Sequence, residues 1–421
     1  MQPLAAFVAI LLVFIHFSNI AELTYTLTGV NFRLMYWVAP FAYAAVLFSG
    51  GLTTALRSKW AILFVLFTVW MVMALPFSTW KGGSIGTVKT YLMVVAPMIF
   101  VTAGLILTWK QVRATFFMIA VAGILVAANT MFFGEMRSGT RMALTSSGML
   151  GNSNDIASHL VLTMGFLVFL VIDPKRNFLV RIGALATIGY SIVVILQTAS
   201  RGALVSLVVG ALFLIWKAPL KMRVATIATA VVMAIVTPVL LSDAVVSRFA
   251  TLMGGEHAEA DESQAARSYL FWQSVRFTFQ RPIFGVGPGQ FINYEGKTAV
   301  SEGLRGNWHA THCSWTQISS ECGLPAALFV IVAIGGSLWG VLRVYDEAKK
   351  RGHIEIRNTC LCFLIAAIPF YTSITFLSNA YRFYIPTLIG LAIVLAHTAK
   401  EQLEADQKNL APHSDLVSPA A

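Results

Sequence analysis

The chain has 421 residues, of which 57% are hydrophobic and only 12% charged, and its mean hydropathy is +0.73. Soluble domains carry about a quarter charged residues, so water is excluded as the main solvent. The net charge of +11 does not point to nucleic acid, because the basic residues are spread over short connections and form no basic nucleic-acid module.

A helix needs about 20 mostly apolar residues to cross the roughly 30 Å hydrocarbon core of a bilayer. Such runs recur at 4–20, 33–51, 60–77, 91–109, 114–133, 156–172, 178–198, 203–217, 224–241, 324–343, 358–378 and 383–399. They are continuous rather than alternating, so helices and not barrel strands are expected. The fold class read from them is all-α: a polytopic bundle of about 12 transmembrane helices over residues 1–400, followed by a disordered cytoplasmic tail at 401–421. The first run lacks a basic start and a small-residue cleavage site and reads as a retained span.

Charge sets the orientation. With Met1 in the cytoplasm, seventeen of the thirty Lys and Arg fall on the cytoplasmic side, among them Lys110, Arg113, Lys175, Arg176, Lys349 and Arg351. Six of the remaining thirteen sit in one long segment, which the positive-inside rule weights least. Both termini are therefore expected in the cytoplasm of a bacterial inner membrane, with contacts to anionic lipid.

Most connections are short, but 242–323 is a large periplasmic loop of lower hydrophobicity with an acidic patch at Glu256, Glu259, Asp261 and Glu262. A long ordered loop usually has work to do. Its start reads as irregular, Ala266–Gln280 as an amphipathic helix, Pro282–Gly289 as a turn, and Thr311–Cys322 as a second helix. Cys313 and Cys322 fall on opposite faces of that helix, roughly 13 Å apart along its axis, too far for a disulfide.

Four stretches carry candidate chemistry. Gly151-Asn152-Ser153-Asn154-Asp155 opens the sixth span, where Asn154 or Asp155 suits a helix cap and a sugar-facing amide is the alternative. Ser200-Arg201-Gly202 is wedged between two apolar runs, and charge held so close to the membrane suggests an anion site rather than a snorkelling side chain. Arg267 precedes Trp272 and the glycine-rich turn, which lacks the strand and the Lys-Ser/Thr of a nucleotide loop. Trp308-His309-Ala310-Thr311-His312-Cys313 offers two histidines three residues apart. They lack a third metal ligand at a persuasive spacing, so no metal and no cofactor is expected, and His312 is a candidate general base.

The stretch His312-Cys313-Ser314-Trp315 with Glu321-Cys322-Gly323-Leu324-Pro325 resembles the His-Asn-x-aromatic and Glu-x-Gly-Leu-x-Gly pattern of O-antigen ligases and polymerases. Asn154-Asp155-Ile156-Ala157, Ser200-Arg201-Gly202-Ala203, Arg267 before Trp272, and Pro282 with Gly285-Val286-Gly287 match the same family in the same order, over roughly 150–335. Cys313 stands where that family has asparagine, and Pro325-Ala326 where it commonly has glycine.

The resemblance implies a metal-independent, inverting membrane glycosyltransferase that takes its glycan from an undecaprenyl-pyrophosphate donor on the periplasmic face. His312 would be the catalytic base and Arg201 and Arg267 would bind the pyrophosphate. Asn154, Arg137, Arg141, Arg305, His309 and Arg382 are further candidates for substrate binding. The acceptor stays open between lipid A core, a polysaccharide and a protein hydroxyl, and so does the choice between ligase, polymerase and protein O-oligosaccharyltransferase. The rival class is a twelve-span transporter. It would show two related halves and midplane polar groups, whereas the polar material here gathers at one face and the midplane stretches hold almost no ionisable residue beyond His16, His159 and His397.

Overall fold

The computed structural model describes residues 2–137, 141–144, 148–240 and 258–410. It is all-α apart from one hairpin, with about 80% of residues helical. In chain order the helices are α1 (Gln2–Ser18), α2 (Ile20–Thr28), α3 (Leu34–Phe48), α4 (Gly51–Leu56), α5 (Lys59–Met73), α6 (Lys81–Thr90), α7 (Met98–Leu105) and α8 (Trp109–Phe133). The hairpin β1 (Gly134–Arg137) and β2 (Arg141–Leu144) leads to α9 (Ser153–Ile172), α10 (Phe178–Gln197), α11 (Arg201–Lys217) and α12 (Leu220–Leu240). Then come α13 (Ala258–Gln280), α14 (Phe291–Ser301), α15 (Ser314–Cys322), α16 (Leu324–Lys350), α17 (Ile354–Ser373) and α18 (Tyr384–Leu410).

Among the described residues, seven helices are long and apolar enough to cross a membrane, or eight if α1 and α2, bent by 60°, form one span. The expected count of about twelve is not reached on length and composition alone. α3 and α11, at 15 and 17 residues, are shorter than a full crossing needs. α6 and α7 join through a π-helical turn at Tyr91–Val95 into one span, Lys81–Leu105.

α9 and the α17 span are the most enclosed, with 72% and 78% of their apolar windows buried, against 28% for α5. Lipid gives helices no hydrophobic reason to associate, so close backbone approach must supply the attraction. Gly165 provides it on α9: a Cβ there would lie 2.5 Å from the Cβ of Ala366 on α17. On α11, Gly210 faces Pro369 of α17 in the same way.

At one end of the bundle an ion-pair network locks three helices. Arg113 of α8 pairs with Asp173 at 2.7 Å and with Glu355 of α17 at 3.0 Å, while Lys175 and Arg176 add a second cation to each carboxylate. The other end carries the hairpin, the 258–323 segment and the 374–383 connection.

The helix expected at Ala266–Gln280 begins earlier, at Ala258, and takes in Glu259, Asp261 and Glu262. The irregular start with Glu256 lies outside the described residues. α14 was not expected at all. The second loop helix is shorter than read, beginning at Ser314, because Thr311 and Cys313 bond each other through the Thr311 hydroxyl around a left-handed His312, which is not a helical conformation. α18 continues to Leu410, so residues 401–410 are helical rather than disordered, and 411–421 lie outside the described residues. All four cysteines are free.

Candidate active site

The turn between α10 and α11 is only Thr198-Ala199-Ser200. Ala199 adopts a left-handed backbone, φ 50°, which a residue with a Cβ takes up only when its surroundings enforce it. Ser200 caps α11 by accepting from the Ala203 N–H at 3.4 Å. Gly202 lets Phe376 lie against the helix, since a Cβ there would be 2.8 Å from that side chain. Arg201 is thereby fixed on the first turn of α11, where free N–H groups and the helix dipole favour an anion. Its Nη1 donates to Gln264 of α13. Its Nη2 is buried with no hydrogen-bond partner among the described residues.

Gln264 and Arg267 are three residues apart on α13 and so share a helix face. Arg267 lines a small polar cleft with Asn154 and Ser158 of α9, Ser200, Gly202 and Ala203 at the start of α11, Ser373 at the end of α17, and Phe376 and Leu377 beyond it. The two arginines thus flank one cleft, Arg267 as part of its wall and Arg201 between two residues that line it.

Asn154 does not cap α9; Asn152 does, accepting from the Asn154 N–H at 2.9 Å. The Asn154 side chain instead accepts from Arg141 at 2.9 Å, and Arg141 donates through Nε to the Thr198 carbonyl. Asp155 lies beside Asn379 and the guanidinium of Arg382, so that arginine belongs to a neighbouring polar cluster. Arg137 stands opposite Arg141 in the hairpin, and its side chain is outside the described structure.

His312 is held by backbone contacts at an unusual angle. Its φ is 52°, and its N–H donates to Ser378 Oγ at 2.9 Å. Ser314 donates to the Leu377 carbonyl and accepts from the Asn379 N–H, Gln317 accepts from Ala380, and Trp315 donates to Thr375. These bonds latch 311–317 to 374–380 and aim the imidazole, whose ring nitrogens make no hydrogen bond among the described residues. Burial, then the positive charge of Arg267, then His309 push the His312 pKa down to about 4. An ordinary imidazole near 6.5 is therefore not what the site holds. His309 and Arg305 are exposed, and among the described residues no third His, Cys, Asp or Glu gathers with the two histidines as a metal site requires.

The carboxylates near by have structural employment. Glu302 pairs with Arg276 at 2.8 Å on the surface. Glu321 is buried and receives the N–H groups of Gly289 and Phe291, and burial raises its pKa to about 7. That carboxylate fastens the glycine turn to α15. Gly285 and Gly287, at φ 67° and 113°, leave no room for a Cβ against the Glu321 backbone and Ser78. The glycines are turn-makers, as their spacing suggested.

The 374–380 connection went unseen in sequence apart from its neighbour Arg382. Its signal was a run of small polar residues, Thr375, Ser378 and Asn379, between two apolar spans. Ser158 and Ser373, 2.5 Å apart at the cleft wall, carried no signal, because buried serines are common in membrane helices.

No curated protein matches the chain. Residues 186–331, which hold Arg201, Arg267 and His312, match the family model described as O-antigen ligase, and over that segment the chain is similar to that family.

Proposed function

We propose that the protein transfers a glycan from an undecaprenyl-pyrophosphate donor to an acceptor hydroxyl at the periplasmic face of the inner membrane, acting as a ligase of the O-antigen type. The observation that carries this reading is Arg267, which lines the cleft beside the Arg201 turn and whose charge adds to burial in depressing the pKa of His312. A cation in the cleft wall, a second in the turn beside it and an imidazole within the field of the first suit an anionic leaving group and a hydroxyl nucleophile.

In the reaction the acceptor oxygen forms a bond to the anomeric carbon, on the face opposite the leaving group, and gives its proton to His312. The bond from that carbon to the pyrophosphate oxygen breaks, and the polyprenyl pyrophosphate keeps the electron pair. Charge grows on the leaving oxygen, where guanidinium groups bind through parallel hydrogen bonds without losing their own charge. Docking of the pyrophosphate cancels the field of Arg267 at His312, which raises the basicity of the imidazole when the substrate is in place. No step in this scheme requires a metal.

The orientation belongs to the same proposal. The ion-paired end with Arg113, Lys175 and Arg176 is cytoplasmic by the positive-inside rule, and the cleft is then periplasmic. Adding α3, α11, α12 and α18 to the eight candidate spans gives twelve crossings with both termini inside. Labelling single cysteines placed at 297 and 351 from either side of the membrane tests this; reaction of position 297 from the cytoplasm alone overturns it. The activity is tested by transfer from undecaprenyl-pyrophosphate-linked glycan in membranes. Loss in His312→Ala and in Arg201→Lys supports the reading, and full turnover in both refutes it. A transporter or a structural partner of a flippase would need neither residue for transfer.

A further inference from the structure

Trp308 is exposed, yet everything around it fixes it in place. Its backbone is left-handed, φ 53°, a strained conformation that persists only where the surrounding structure enforces it and that clusters at ligand sites. The enforcement comes from Glu295 of α14, a carboxylate only 1% exposed, which accepts from the Trp308 N–H at 2.9 Å and from the Asn307 N–H at 3.3 Å. Two glycines make room for the indole. A Cβ on Gly296 would lie 2.3, 2.4 and 2.5 Å from Cδ2, Cε2 and Cε3, and one on Gly306 would lie 2.9 Å from Nε1.

Those three ring distances fix the geometry. Cδ2 is bonded to both of the other atoms at the ring fusion, so a point nearly equidistant from all three must sit above the ring plane. Gly296 therefore underlies one face of the indole. The residue is nevertheless 47% exposed, and the face away from Gly296 meets neither of the two glycines. Its neighbours Arg305 and His309 are exposed and polar, and His312 follows within one short stretch of chain. A tryptophan anchoring the protein in a headgroup layer needs only a helix face; it does not need a buried carboxylate, two glycines and a strained backbone.

We propose that Trp308 is a stacking platform for a pyranose ring of the glycan handled at the cleft. This rests on the glycosyltransferase reading above. The electron-rich face of an indole attracts the weakly positive C–H groups that line one face of a pyranose, while the sugar hydroxyls point outward to polar groups such as those of Arg305 and Asn307. The sugar belongs either to the lipid-linked donor or to a saccharide acceptor, and the kinetics separate the two.

The test measures KM for donor and acceptor separately in wild type, Trp308→Phe and Trp308→Leu. A remote contact that holds substrate and transition state equally changes KM and leaves kcat alone. Trp308→Leu should raise one KM by roughly tenfold, the scale of one aromatic contact, with kcat within about twofold, and Trp308→Phe should restore most of the loss. A raised donor KM assigns the platform to the donor, and a raised acceptor KM to the acceptor. No change in either, a rise in both, or a fall in kcat alone overturns the proposal. Trp308→Gln is read the same way if leucine prevents folding.

Fluorescence titration with the free oligosaccharide, released by mild acid from the lipid-linked pool of the source cells, is independent of transfer. Saturable quenching in wild type that disappears in Trp308→Leu or Trp308→Gln supports the platform, and equal quenching in wild type and variant overturns it. Should wild-type membranes transfer nothing while the quenching holds, the reaction assignment fails and the saccharide site stands.

Discussion

Arg141 donates through Nε to the Thr198 carbonyl at 2.9 Å and through Nη2 to Asn154 at 2.9 Å. Thr198 immediately precedes the left-handed Ala199, so the hairpin braces the turn that presents Arg201. These two bonds lead to the expectation that Arg141 acts by positioning the turn. Arg141→Ala removes a charged hydrogen bond of about 1.5–3 kcal/mol, and transfer should fall by roughly ten- to a hundredfold. A double-mutant cycle checks the route. In an Arg201→Ala background the further loss from Arg141→Ala should be small, because the two act through one turn. Additive losses would mean that Arg141 acts elsewhere.

Replacing Arg201 or Arg267 by lysine keeps the charge and removes the planar fork. Each change should cut kcat/KM for the donor by roughly ten- to a hundredfold, about 1.4–2.8 kcal/mol of transition-state stabilisation. The acceptor KM should stay near its wild-type value. Steady-state kinetics with the two substrates varied separately decide this, and an acceptor-only defect would move the pyrophosphate site away from this cleft.

Glu321 holds the N–H groups of Gly289 and Phe291 from a buried position. Glu321→Ala orphans both, each at about 1–3 kcal/mol, so the thermal midpoint in detergent should drop by several degrees. Its pKa is raised to about 7 by burial from the usual 4.5, so the folded state binds this proton more tightly than the unfolded chain does. The favourable contribution is present below about pH 4.5 and is lost as pH rises through about 7. Glu321→Gln, which cannot ionise, should flatten the stability profile across that window. A wild-type profile that rises there would contradict the assignment.

The membrane class was legible because apolar runs of this length have one reasonable solvent and one spanning form; of the twelve runs read as spans, seven, or eight with the bent α1–α2 pair, have the length and composition of a crossing among the described residues. The nearness of Arg201 to Arg267 was expected from sequence, and Arg267 does line the cleft beside the turn that carries Arg201. What sequence did not yield was partnership. Nothing in the local pattern says that Arg141 reaches Thr198, 57 residues away, or that Ser314 and Ser378 latch the histidine stretch to the connection after α17. α14 was missed because its eleven residues are short, polar and interrupted by glycine. Asn154 looked like a cap because it opens a helix, yet Asn152 took the role two residues earlier. Nor does the sequence carry the burial of His312 or the field of Arg267, which together hold its pKa below that of a free imidazole.

That field gives the sharpest expectation. In the free enzyme burial, Arg267 and His309 hold His312 near pKa 4, so at pH 5.5 it is almost entirely neutral, whereas an unperturbed imidazole would be only about a tenth neutral. The acid limb of kcat/KM, which reports the free enzyme, should therefore lie near pH 4 rather than near 6.5. The acid limb of kcat reports the complex and should lie higher, because bound pyrophosphate cancels the charge of Arg267. Arg267→Gln removes that charge permanently, so the free-enzyme limb should move up toward the limb of the complex. His312→Ala should abolish the acid limb and lower transfer by roughly 10²–10⁴-fold, the usual range for a positioned base, while His309→Ala does much less. A kcat/KM limb that stays near 6.5, or one that Arg267→Gln leaves unmoved, would show that His312 does not take the proton.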